Sequence, residues 1–82
     1  MPYYRFHWTA EIVEHLADND VTPDDFEAVV EDSRSRITTS ASTGRLARIG
    51  VTEEGRVLFC VFDWIDDEKT EIEPRTAFEI SN

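Results

Sequence analysis

The spacing of apolar positions changes several times along the chain, and each change marks an element. Val57 to Phe62 is apolar at every position. A run this short, rich in Val and Phe, suits the middle strand of a sheet, buried on both faces. The stretch from Arg45 to Thr52 precedes it as a second strand-like run. Glu53-Glu54-Gly55 between them fits a three-residue hairpin loop: a type I turn, then a glycine in the left-handed conformation that strains a side chain. This loop sets a register with Thr52 opposite Arg56, Ile49 opposite Phe59 and Arg48 opposite Cys60. Strand alternation then sorts the side chains. One face carries Ala47, Ile49, Val51, Val57, Phe59 and Val61, all apolar, and is expected to lie under helices. The other mixes Arg48 and Arg56 with Leu46, Gly50, Thr52, Leu58, Cys60 and Phe62. This mixed face is where a partner or a site is expected.

Upstream, Tyr3 to Trp8 alternates as a short strand, with Tyr4, Phe6 and Trp8 on one side. Thr9 suits an N-cap, and Ile12, Val13, Leu16 and Ala17 fall at helical spacing, which predicts a helix from Ala10 to about Asp18. Thr22 is a second N-cap, followed by Pro23 at the first helical position and Asp24 and Asp25 at the positive end of the dipole. Val21 and Phe26 fit a hydrophobic staple. Phe26, Val29 and Val30 form a buried stripe up to about Asp32. Downstream, Arg34 to Thr39 reads as a strand, Ser40 to Gly44 as a polar turn, and Asp63 to Glu68 as a charged connection. Lys69 to Pro74 reads as another strand, with Pro74 suited to an edge or a strand end. The short tail from Arg75 to Asn82 is expected to dock through Phe78 and Ile80. The order predicts one α+β domain over residues 1–82. A short N-terminal strand and two helices precede a three- to four-stranded antiparallel sheet, with the helices packed on one face.

Charge adds a second pattern. The net charge is −10 at pH 7, which by simple counting opposes binding to a polyanion. It is unevenly spread. Residues 1–33 set Arg5 against nine acids, residues 34–58 set five arginines against Glu53 and Glu54, and residues 59–82 set Lys69 and Arg75 against seven acids. The central hairpin is therefore a basic island in an acidic chain, which suggests either an anion site or arginines built to meet acidic neighbours. The single cysteine, Cys60, excludes an internal disulfide framework and reads as a core thiol. With no apolar signal core and no run long enough to span a bilayer, a soluble cytoplasmic protein is expected. A core this small supplies only about 3–5 kcal/mol of net stability, so a homodimer or hetero-oligomer is in keeping with its size.

Several residues resemble the BrnT-type toxins, small ribonucleases of type II toxin–antitoxin pairs with a RelE-like fold. The matching pieces are Phe6-His7-Trp8 in the opening strand, Glu14-His15 in the first helix, and VTPDDFEAVVED from Val21 to Asp32. GRLARIGVTEEGRVLFCVF from Gly44 to Phe62 also matches. EIEPRTAFE from Glu71 to Glu79 is similar to the family's isoleucine–serine–alanine–arginine–arginine–alanine segment. The family's Lys-His-Gly before the second helix is Asp18, Asn19 and Asp20 here, and of its paired arginines only Arg75 matches. The resemblance implies a protein antitoxin as partner, RNA as substrate, and no metal or small-molecule cofactor.

Cleavage by attack of a 2′-hydroxyl on the adjacent phosphate needs cations for the phosphorane charge and a group that moves protons. Arginine suits the first role, because its planar fork meets phosphate oxygens bidentately. The expected phosphate set is Arg48, Arg56 and Arg75, with Glu71 or Glu73 as proton-transfer group. Arg36 and Arg45 would make outer contacts. Cross-strand salt bridging among these residues is the simpler alternative. His15 is either a packing residue or a general base. Leu58, Phe62 and Trp64 are expected to contact RNA or a partner. Asp66-Asp67-Glu68 reads as a solvated loop rather than a metal site. Two functions follow: a toxin-like endoribonuclease silenced by an antitoxin, or a catalytically inactive, toxin-derived module that binds protein through its mixed face.

Overall fold

The computed structural model describes residues 4–41 and 43–80, so the expectations for Tyr3, for Ser42 in the polar turn and for Ser81 and Asn82 at the end of the tail lie outside the described residues. Both helices form where their caps place them. Helix α1 runs Ala10–Asp18, and Thr9 Oγ1 accepts the backbone N–H of Ile12 at 3.2 Å. Helix α2 runs Pro23–Glu31 with a full capping box: Thr22 Oγ1 accepts the N–H of Asp25, and the Asp25 carboxylate accepts the N–H of Thr22. Val21 and Phe26 are both buried, as a staple requires.

The strands are β1 (Arg5–Phe6), β2 (Arg36–Thr39), β3 (Leu46–Val51), β4 (Val57–Trp64) and β5 (Glu71–Glu79). They form one five-stranded mixed sheet in the order β1-β5-β4-β3-β2, with β1 parallel to β5 and the other pairs antiparallel. The class is α+β as expected, and the N-terminal strand adds a fifth member to the sheet. The hairpin register matches: Ile49 faces Phe59 and Arg48 faces Cys60. Gly55 has φ +86° and donates its N–H to the Thr52 carbonyl at 2.9 Å, as the three-residue loop requires.

Several boundaries differ from the sequence reading. Strand β1 is confined to Arg5–Phe6, β2 begins at Arg36 rather than Arg34, β4 continues through Trp64, and β5 begins at Glu71 and runs past Pro74 to include the tail as far as Glu79. Pro74 is tolerated because the sheet is irregular there. Val61 pairs with Thr76 and Phe62 with Pro74, so Arg75 is the extra residue of a bulge. On the other side of β5, β1 reaches only to Ile72, so no neighbouring strand needs the N–H that proline lacks. The Asn19 side-chain amide occupies part of that edge, donating to the Ala77 carbonyl at 2.8 Å.

The largest correction concerns which face of the sheet is covered. Leu16, Val21, Phe26, Val29 and Val30 pack against Leu58, Cys60, Phe62, Ile72 and Ala77, with Leu46, Tyr4, Phe6 and Trp8 around them. The helices therefore lie on the mixed face, and the wholly apolar face is the open one. Gly50 accounts for much of this. A Cβ at that position would lie 2.2 Å from Ser35 Oγ and 3.0 Å from Val29 Cγ1. Only glycine lets the α2–β2 connection come this close. Ser35 Oγ, buried, donates to the Val29 carbonyl at 2.6 Å and closes the same contact. Gly50→Ala should lower stability by about 1–3 kcal/mol through overpacking, read as a lower urea midpoint at unchanged slope. An unchanged midpoint would mean that this contact does not hold the connection.

Candidate interaction face

The covered face leaves its arginines at the perimeter. Arg48 stretches along it and donates from Nη1 to the Asp32 carbonyl at 3.2 Å, just past the end of α2. Arg56 donates from Nε to Glu79 at 3.1 Å and lies 3.7 Å from Asp25. Each keeps an apolar stem against the sheet and a charged end near the rim. Leu58 and Phe62 are in the core. Trp64 is half-buried, with ring centroids 5.5 Å from Tyr4 and 5.4 Å from Phe62. It is a strand residue at the margin of the core, not a loop anchor.

Glu71, Glu73 and Arg75 do lie on the open side, because Ile72 points into the core. Arg48 and Arg56 lie across the sheet from them, so the expected three-arginine phosphate set is not assembled. What comes together instead is Arg45, Asp63, Glu73 and Arg75. Asp63 Oδ2 accepts from Arg75 Nε at 2.8 Å and from Arg45 Nη1 at 3.2 Å, and Arg75 also pairs with Glu73. The hydrogen bond from Arg75 to Asp63, with Glu73 alongside, holds that guanidinium above even its ordinary pKa. Glu71 Oε1 instead meets His7 Nε2 at 2.8 Å. His15 Nε2 meets Thr76 Oγ1 at 2.9 Å and ties α1 to β5 beside Arg75. Arg36 is exposed on the edge strand β2, and its guanidinium has no partner among the described residues.

Between these polar margins the open face is apolar. Register places Ile49 beside Phe59 and Phe59 beside Phe78, and Val51 beside Val57. Phe59 and Phe78 stack at 5.2 Å with their planes 22° apart. Val51 is 57% exposed and Phe78 44%. Ala47 and Val61, both buried, continue the face toward Arg45 and Arg75, where Ser40, Ala41 and Thr43 border a concavity of about 440 Å³. The signal for this face was present in the hairpin, but both of its faces are apolar along β4. Gly50 was the residue that distinguished them. Asp63 was missed as the hub of the arginines because it reads as part of a charged connection.

That connection is itself ordered. Asp66 Oδ1 accepts the N–H of Thr70 at 3.0 Å and of Glu71 at 2.9 Å, its other oxygen accepts the Thr70 hydroxyl, and Lys69 turns the chain at φ +59°. Among the described residues no group of three His, Cys, Asp or Glu could hold a metal ion, and no helix is long and apolar enough to cross a membrane. Burial pushes the Cys60 thiol up to about 12, with the Asp25 charge adding to it, so it is a protonated core group. Compared with known proteins, the chain matches no family model, no curated protein and no solved structure.

Two carboxyl groups should make the fold acid-sensitive. The Asp32 carboxyl is held below its ordinary 3.8 chiefly by the Arg34 side chain, and the Asp66 carboxyl chiefly by the Thr70 hydroxyl and then the Glu71 N–H. A depressed folded pKa contributes stability that is present above the ordinary value and is lost as pH falls through the folded one. Thermal midpoints should therefore fall with pH below the ordinary carboxylate range, and Asp66→Ala should flatten that fall while lowering the midpoint near neutrality. An identical acid slope in the variant would remove Asp66 from this account.

Proposed function

We propose that this chain is a toxin-like protein-binding module, the partner of a protein antitoxin, and that its working surface is the open face of the sheet. The observation that carries this reading is the uncovered apolar patch of Ile49, Val51, Val57, Phe59 and Phe78. A contiguous apolar surface of this kind marks an interaction site. It occurs in a chain of net charge −10, whose field opposes RNA. The resemblance to BrnT-type toxins supports an antitoxin as that protein. Leu58, Phe62 and Trp64 take no part in the contact, since they serve the core. Co-expression with the product of the adjacent reading frame should give one complex on gel filtration. Val51→Asp or Phe78→Asp, each at an exposed position, should weaken it at least about ten-fold, the effect of losing a desolvated apolar contact. A complex indifferent to both substitutions would put the working surface elsewhere.

A second reading, metal-independent RNA cleavage, is favoured by one observation. Arg45, Arg75 and Glu73 converge beside the concavity at the end of the open face, and His15 bonds to Thr76 next to Arg75. In this reading the two arginines hold phosphate and Glu73 or His15 moves the proton. Induced expression of the chain alone should then arrest growth, and an Arg45→Ala/Arg75→Ala variant with an unchanged melting temperature should restore it. Normal growth with abundant soluble wild-type protein would sink this second reading and leave the first intact.

A further inference from the structure

We infer that the occupant of the open face is a single amphipathic α-helix that lies along β4 and sets a carboxylate against Arg36. This inference rests on the open-face reading and adds the form and charge of the partner. Dimensions argue for a helix. The apolar patch spans β3, β4 and β5, two strand spacings or about 10 Å, which matches the 10–12 Å diameter of one helix. From Val57 to Val61 the strand advances about 13 Å, the length of about nine helical residues.

Charge argues for the position of the carboxylate. At one end of the patch, Arg45 and Arg75 are already neutralised by Asp63 and Glu73. At the β2 side, Arg36 stands opposite Ile49 with its guanidinium unpartnered among the described residues. A helix seated over β3 to β5 brings its flank to this arginine, so an acid there gains an ion pair that none of the described residues supplies. A second copy fits less well. Two chains of −10 repel. The footprint, roughly 130 Å² from these spacings, is also well under the roughly 800 Å² a side of a stable interface.

The test uses the full chain and three synthetic 16-residue peptides followed by fluorescence anisotropy. The first carries leucines at i, i+3, i+4 and i+7 with a glutamate beside the stripe. The second has lysine in place of that glutamate, and the third has a central proline. The glutamate peptide should bind two- to five-fold more tightly than the lysine peptide, the range of an exposed ion pair. Arg36→Glu should reverse the order, and the proline peptide should bind at least ten-fold more weakly, as a broken helix requires. Val51→Asp should weaken the glutamate peptide; if that peptide binds with Val51→Asp unchanged, the open-face reading itself fails. Sensitivity to Val51→Asp without any glutamate–lysine or proline discrimination leaves the open face standing and overturns the helix. No binding by any peptide overturns the helix as well; if sedimentation of the chain alone then gives a dimer sensitive to Val51→Asp, the occupant is a second copy.

Discussion

Val29 and Ser35 approach Gly50 so closely that no side chain fits between them, and the rest of the structure depends on that contact. It draws the end of α2 and the connection to β2 onto one face of β3. Once that face is covered, Leu58, Cys60 and Phe62 become core, and Phe59, Val57 and Ile49 face outward. A central strand with apolar residues on both faces can be packed either way round. The fold resolves the choice where the bare backbone of Gly50 admits the side chains of Val29 and Ser35, not by which face is more hydrophobic.

The arginines follow from the same choice. On the covered face, Arg48 and Arg56 cannot leave a bare charge against the helices, so each runs to the perimeter and finds a carbonyl or carboxylate. On the open face, Arg45 and Arg75 share Asp63. The basic island of the sequence is thus divided between two sides of one sheet and mostly neutralised by the chain's own acids. Of the salt bridges expected among the site residues only Arg75–Glu73 forms, and it lies within β5; Arg45, Arg48 and Arg56 meet Asp63, a carbonyl, Asp25 and Glu79 instead, which leaves Arg36 distinct. A protein built in this way presents an apolar surface with little free positive charge. Such a surface suits a protein partner better than a phosphate backbone.

Local chemistry also closes the sheet at its less regular end. The bulge at Arg75 lets Pro74 sit inside β5, and Asn19 bonds to a strand edge that β1 is too short to cover. The Asn19 side chain thereby joins the end of α1 to β5. The Asp66 turn holds the β4–β5 connection in the same way, through backbone donors collected by one carboxylate.

What the sequence determined by itself was everything governed by neighbours in the chain. Thr9 and Thr22 start their helices because a side-chain oxygen reaches an N–H three residues on. Glu53-Glu54-Gly55 fixes the hairpin register because only one of its residues takes a positive φ without strain. The α+β order, the three apolar residues of α2 and the burial of Cys60 were legible on the same grounds. The tertiary structure alone decided the sided choices: which sheet face lies under the helices, and hence that Arg48 and Arg56 are separated from Arg75. It also decided that β5 passes through Pro74 and that Asp63 gathers two arginines. These depend on distances between residues far apart in the chain. Alternation assigns side chains to two faces but carries no information about which face another element will cover.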